Sequence, residues 1–208
     1  MSYPDTEKTR RSLHAVAELV LAGPQHRHTG EIMLIVTATG FQTFTEPALA
    51  VDGTDLITAA GRVPISGNTC AALAVAADVD VGAPKDLYRD TSGVGPDEPL
   101  HVDPVAARWL EDCWAAGDTA LRRLAPQERP ILWPEHFDVG ILADGISFGV
   151  SPGDRYIGEP YAYVGPRTPR TDPFWTHPFG AARTMRELDH GNSDAVLAFF
   201  ADGRRRAA

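Results

Sequence analysis

The pair Asp144-Gly145 constrains this chain more than any other two residues. It separates two apolar, β-branched runs, residues 131–142 and 146–150. A two-residue Asp-Gly connection matches the twist of paired strands, so the runs read as an antiparallel hairpin. The segment Asp52-Gly53-Thr54-Asp55 repeats the signal between residues 48–51 and 56–59, and Thr39-Gly40 turns the chain between residues 31–37 and 41–45. Residues 160–164 add a further strand.

Helices alternate with these strand clusters. Asp5 can cap a helix over residues 5–22, with Leu13, Val16, Ala17 and Val20 on one stripe, and Gly23-Pro24 is the expected stop. Ser66-Gly67-Asn68 can cap a short helix carrying Cys70, Leu73, Ala74 and Ala77. Asp103-Pro104 opens a longer one, since proline at the first helical position lacks only an N–H that would be unbonded anyway. Its stripe runs through Ala106, Trp109, Leu110, Cys113, Gly117, Ala120, Leu121 and Leu124, and makes Trp109, Leu110 and Leu121 core residues. Two helical segments follow near 181–189 and 193–202, the second capped by Ser193 and ended by Gly203. Strands cluster and then helices cluster, so the expected fold is α+β, an antiparallel sheet flanked by helices. The chain reads as one globular domain over 1–208, with short tails near 1–5 and 203–208 and an element order that recurs in its two halves. Residues 79–102, rich in glycine and proline, are either a linker or an ordered functional loop.

Charge narrows the partners. The 208 residues carry a formal net charge of −9. Such an average surface repels a phosphate backbone, so no nucleic-acid partner is expected. The dense basic run Arg204-Arg205-Arg206 reads as a solvated tail. No apolar run reaches the roughly 20 residues that span a bilayer, so no membrane partner is expected. Cys70 and Cys113 are far apart in sequence, form no CxxC and sit in apolar helical patterns, which suits the reduced cytoplasm.

Several motifs lack the context that gives them chemistry. Gly145-Ile146-Ser147-Phe148-Gly149 fits G-x-S-x-G, but the nucleophile elbow needs a strand turning sharply into a helix. Here Ser147 follows a hairpin turn, and Ser151-Pro152-Gly153 forbids the helix. Gly93-Val94-Gly95-Pro96 has neither the lysine nor the third glycine of a phosphate-binding loop, so no cofactor is expected. His26 and His28 would face the same way in a strand and could share a metal. In a polar connector they are surface histidines, and no second cluster completes a ligand set, so no metal is assigned.

The candidate site is in the second β region. On a continuous strand, Trp133, Phe137, Val139 and Ile141 share one face, while His136 and Asp138 share the other with Leu132 and Leu142. A histidine beside a carboxylate can act as an oriented acid–base pair. Glu159, Tyr161 and Tyr163 alternate onto one face of the next strand, and with Trp133 they would line a ligand pocket. The plainer alternative is a solvated strand face with tyrosines as packing residues.

These runs resemble those of a bacterial family known only as the domain of unknown function numbered 5996. Leu13-His14 lies in an opening helix. Residues 37–43, Thr-Ala-Thr-Gly-Phe-Gln-Thr, resemble the family's Thr-Pro-Arg-Gly-Leu-Thr-Thr turn. His136-Phe137-Asp138 resembles its His-Phe-Phe-Trp-Gly-Ser-Phe-Asp run without the Trp-Gly-Ser portion. Pro160-Tyr161-Ala162-Tyr163 resembles its Phe-Tyr-Ala-Tyr run, and an apolar C-terminal helix follows. The resemblance implies a compact unit and names no reaction.

Three functions follow from these residues. The first is small-molecule binding in a pocket beside the second β region. The second is an acid–base enzyme using His136 and Asp138. The third is a protein-interaction module presenting the aromatic loop 174–179, with Phe174, Trp175 and Phe179 exposed.

Overall fold

The computed structural model describes residues 3–88 and 90–207. The fold is α+β, with antiparallel strands and flanking helices. The chain divides into two compact units, residues 1–111 with 132–137, and residues 112–131 with 138–208.

The first unit opens with α1 (Glu7–Val16), which passes into a π-helical segment (Ala17–Ala22) and then α2 (Gly23–Thr29). Gly23-Pro24 therefore does not stop the helix. Proline occupies the start of a new α-helical segment, where its missing N–H costs nothing, and the true stop is Gly30, left-handed at φ 80°. His26 and His28 consequently lie on a helix, about 200° apart around its axis at 3.6 residues per turn, so they do not face one ligand.

Strands β1 (Leu34–Thr37), β2 (Gly40–Thr43), β3 (Ala50–Asp52), β4 (Asp55–Thr58) and β5 (Gly61–Pro64) form a meander, and β6 (Ile131–Trp133) adds to β1 through Leu34 opposite Leu132. Strand β5 has no counterpart in the sequence reading; its residues are exposed or half-buried, so no apolar alternation marks it. The core holds Leu13, Phe41 and Phe137, with Phe137 edge-on to Phe41 at 5.3 Å. Helix α3 (Cys70–Ala76) is capped by Thr69, which accepts from the Ala72 N–H. The expected cap residue Asn68 instead donates its amide to the Pro64 carbonyl.

Residues 79–88 and 90–102 dock on the helices as a strap. Arg27 donates to the Gly82 and Asp80 carbonyls, Arg11 to the Gly93 carbonyl and Glu98, and the Gly82 N–H to the Leu19 carbonyl. Gly23 must be glycine for this docking, because a Cβ there would come 1.6 Å from the Gly82 carbonyl oxygen.

Helix α4 (Pro104–Leu124) is capped as expected, the Asp103 carboxylate accepting from the Val105 and Ala106 N–H groups. Its buried aromatic is Trp114, fully covered, and not Trp109, which is half-buried against Tyr3 at 5.1 Å. At 3.6 residues per turn Trp114 lies about 40° around the helix from buried Leu110, whereas Trp109 lies about 100° from it.

The second unit pairs β7 (Asp138–Ala143), β8 (Ile146–Ser151), β9 (Tyr161–Pro166) and β10 (Ala181–Thr184) in the order β10-β9-β8-β7. Asp144-Gly145 makes the expected hairpin, both residues at positive φ. Residues 181–189, expected as helix, are strand β10 and the turns after it. Pairing with β9 in register, Ala182 opposite Tyr163, overrides the local preference.

One sheet face packs on α5 (Ser193–Ala207) and the second half of α4. Val150 and Val139 meet Gly117, Val164 meets Gly203, and Phe148 meets Phe200 at 5.8 Å. Gly203 thus sits inside the helix, where its lack of a Cβ admits Val164, and does not end it. Asn192, and not Ser193, supplies the cap. The expected tail is also helix, with Arg204 holding Asp144 and the Leu124 carbonyl. No described helix is long and apolar enough to cross a membrane, and both cysteines are free and buried.

Candidate functional site

The sequence reading took residues 131–142 as one strand. The chain instead leaves β6 at Trp133, turns through residues 134–137 and enters β7 at Asp138. Proline at 134 removes a ladder donor, and Phe137, at φ 56°, completes the turn. The alternation that put Leu132, His136, Asp138 and Leu142 on one face is therefore broken. Leu132 is fully buried while Leu142 is 64% exposed. In the first unit, the His136 side chain is 56% exposed, its ring 3.7 Å from Asp90 and 3.8 Å from Glu135, and Trp133 is also exposed.

In the second unit, Asp138, Tyr161 and Tyr163 do come together. Tyr163 lies opposite Gly149, which lies opposite Gly140. These two glycines open a trough across the strands. A Cβ on Gly149 would stand 2.5 Å from the Tyr163 hydroxyl, and one on Gly140 3.1 Å from it. Lying in the trough, Tyr163 donates a hydrogen bond to buried Asp138. Tyr161, its ring 6.3 Å from that of Tyr163, donates to Asp154 at 2.7 Å. Glu159 pairs with Arg186 at 2.6 Å.

Burial, reinforced by the neighbouring carboxylates, pushes both phenols above their ordinary range. They stay protonated and donate to Asp138 and Asp154. These hydrogen bonds tie β9 to Asp138 of β7 and to Asp154. Asp154 was missed from the sequence, where Ser151-Pro152-Gly153-Asp154 reads only as a turn. Ser147 lies exposed within β8 with a strand pair on each side, so no helix follows it.

A cavity of about 720 Å³ opens at the other side of this unit, between residues 172–174, β10 with its following turn, and α5. Phe174, Leu188 and Phe199 give it an apolar floor, with Phe174 and Phe199 centroids 5.6 Å apart. Arg183, Arg206, Asp172, Asp202 and Glu187 supply its polar rim. The aromatic loop does not present its rings outward: Trp175 is 9% exposed and donates its indole N–H to Asp172 at 2.8 Å, and Phe174 is half-buried. Arg183 was hidden by the expectation of a helix over 181–189.

Sequence reasoning also missed Glu18. It sits on the π-helical segment, 1% exposed, and accepts from the Ser92 N–H at 3.1 Å and hydroxyl at 2.9 Å. Burial raises its carboxyl despite those bonds. Single π turns recur at functional sites, and an acidic residue inside the run Val16-Ala17-Glu18-Leu19-Val20 was the available signal. Burial, with Glu18 nearby, pushes the Cys70 thiol up to about 12, so it stays a thiol at neutral pH. Among the described residues, no group of three or more His, Cys, Asp or Glu side chains could hold a metal ion.

Comparison with family models, curated proteins and solved structures finds no match to the chain.

Proposed function

We propose that this protein binds a small organic molecule in the cavity beside β10, at the edge of the second β region. The observation that carries the reading is the cavity itself. Its volume of about 720 Å³ lies within the roughly 300–1,000 Å³ of small-molecule sites. The tyrosine network belongs to the same reading as a support: it ties together strands of the sheet whose edge strand forms one wall. The resemblance to the family numbered 5996 is in keeping with it, since the runs that carry the resemblance include Asp138, Tyr161 and Tyr163.

Two dyes test the proposal, 8-anilinonaphthalene-1-sulfonate and its uncharged relative N-phenyl-1-naphthylamine. Saturable fluorescence from at least one of them is expected with the native chain. Ala198→Trp, which fills the cavity from an exposed position on α5, is expected to abolish it. Failure of both dyes to bind, or binding indifferent to Ala198→Trp, overturns the proposal.

A further inference from the structure

We infer that the ligand of the β10 cavity is a monoanion with an apolar body, an alkyl or aryl carboxylate, and that Arg183 is the residue that reads its charge. The inference rests on the cavity being the ligand site and adds the chemistry of the occupant.

The rim charges are not equivalent. The Asp172 carboxylate is turned into its own loop, accepting from the Phe174 N–H at 2.9 Å and the Trp175 indole at 2.8 Å. Glu187 accepts from the Thr184 N–H at 2.8 Å and hydroxyl at 3.0 Å. Asp202 holds Arg205 at 3.1 Å and Arg206 at 2.9 Å. Arg206 is further occupied by Phe174, its guanidinium 4.9 Å from the ring centroid. Arg183 differs from all of these. Its Nη1 donates to the Ala182 carbonyl at 2.9 Å, and among the described residues it has no carboxylate partner. The remaining guanidinium donors are uncommitted on the rim of the cavity, and a planar fork of donors matches a carboxylate.

The same rim limits the ligand's charge. Three carboxylates and two guanidiniums line the cavity, so a dianion meets about twice the net rim repulsion that a monoanion does, while a single carboxylate already uses the hydrogen bonds that Arg183 offers. The floor of Phe174, Leu188 and Phe199 then takes the apolar body. A neutral molecule gains no charge-assisted hydrogen bond from the guanidinium, which favours the anion.

The dye pair separates this inference from the reading it rests on. The sulfonate dye is expected to bind the native chain, and Arg183→Gln to weaken it by roughly tenfold or more, the usual effect of losing a hydrogen bond to a charged group. The uncharged dye should bind both proteins alike, and Arg183→Lys should restore part of the sulfonate affinity. Octanoate should displace the sulfonate dye from the native chain, and 1-octanol should do so far more weakly. Equal binding of the sulfonate dye to the native chain and Arg183→Gln, or equal displacement by octanoate and octanol, overturns the monoanion inference and leaves the cavity as a ligand site. Absence of binding by either dye overturns the cavity reading, and the inference with it.

Discussion

Single residues carry much of what is specific here, and Gly149 is the sharpest case. Its missing side chain is the space that Tyr163 fills, so Gly149→Ala must push the phenol off Asp138 or bend β8. Overpacking of this kind costs about 1–3 kcal/mol, and urea denaturation should show it. Gly140→Ala should cost less, because its Cβ would meet the same hydroxyl at 3.1 Å and not 2.5 Å. His14 and Glu18 give the first unit two opposed pH responses. Its ring stacks on Phe137 at 5.1 Å and its Nε2–H donates to the Pro134 carbonyl at 2.7 Å. Burial lowers its pKa from 6.5 to about 4. The unfolded chain therefore binds the proton first, and stability is lost as pH falls through the window from 6.5 to 4, by about 3 kcal/mol when the window is crossed. Glu18 acts in the opposite sense. Its raised pKa means the folded chain holds the proton longer, so stability declines as pH rises from the ordinary glutamate value to the raised one. Melting temperatures measured between pH 4 and 8 should show the His14 limb vanish in His14→Gln and persist in Glu18→Gln.

At the scale of elements, α4 shows what a one-dimensional pattern can and cannot say. Trp114→Ala should cost roughly 3–5 kcal/mol as a fully buried aromatic, and Trp109→Ala clearly less; thermal unfolding of the two variants should rank them in that order. The helix itself was legible, because its cap and its apolar period are local signals. Choosing between two tryptophans five apart required the axis of the buried arc. The hairpin at Asp144-Gly145 was legible for the same local reason, since backbone twist dictates the residues at the turn. The continuous strand over 131–142 was an error because period-2 alternation survives across Pro134 in the letters but not in the chain. That error placed His136 and Asp138 on one face, whereas Tyr161 and Tyr163, on an uninterrupted strand, were correctly placed together. The helix expected over 181–189 failed differently. Ala181-Ala182-Arg183-Thr184 has no strong strand preference, and β10 exists because β9 offers it a ladder. The cavity was hidden with it, since a concavity formed by residues 172–174, 183–188 and α5 has no signature in any one of those segments.

For the whole molecule, the decisive feature is that neither unit is one continuous stretch of chain. The first needs residues 132–137 in addition to 1–111. A fragment ending at residue 111 loses Leu132 from beside Leu34 and Phe137 from between Phe41 and His14. That exposes β1 as an unpaired edge and empties a core position, both of which promote aggregation. Such a fragment should elute as aggregate or give a collapsed amide NMR spectrum; a dispersed, monomeric spectrum would contradict this. The interleaving reaches into heredity. When two related genes recombine by one crossover, wherever it falls, at least one of these units is assembled from both parents' residues. Partners in a packed core are then separated at birth, and single-crossover chimeras will be viable only where the two parents already agree across the seams at 111, 131 and 137.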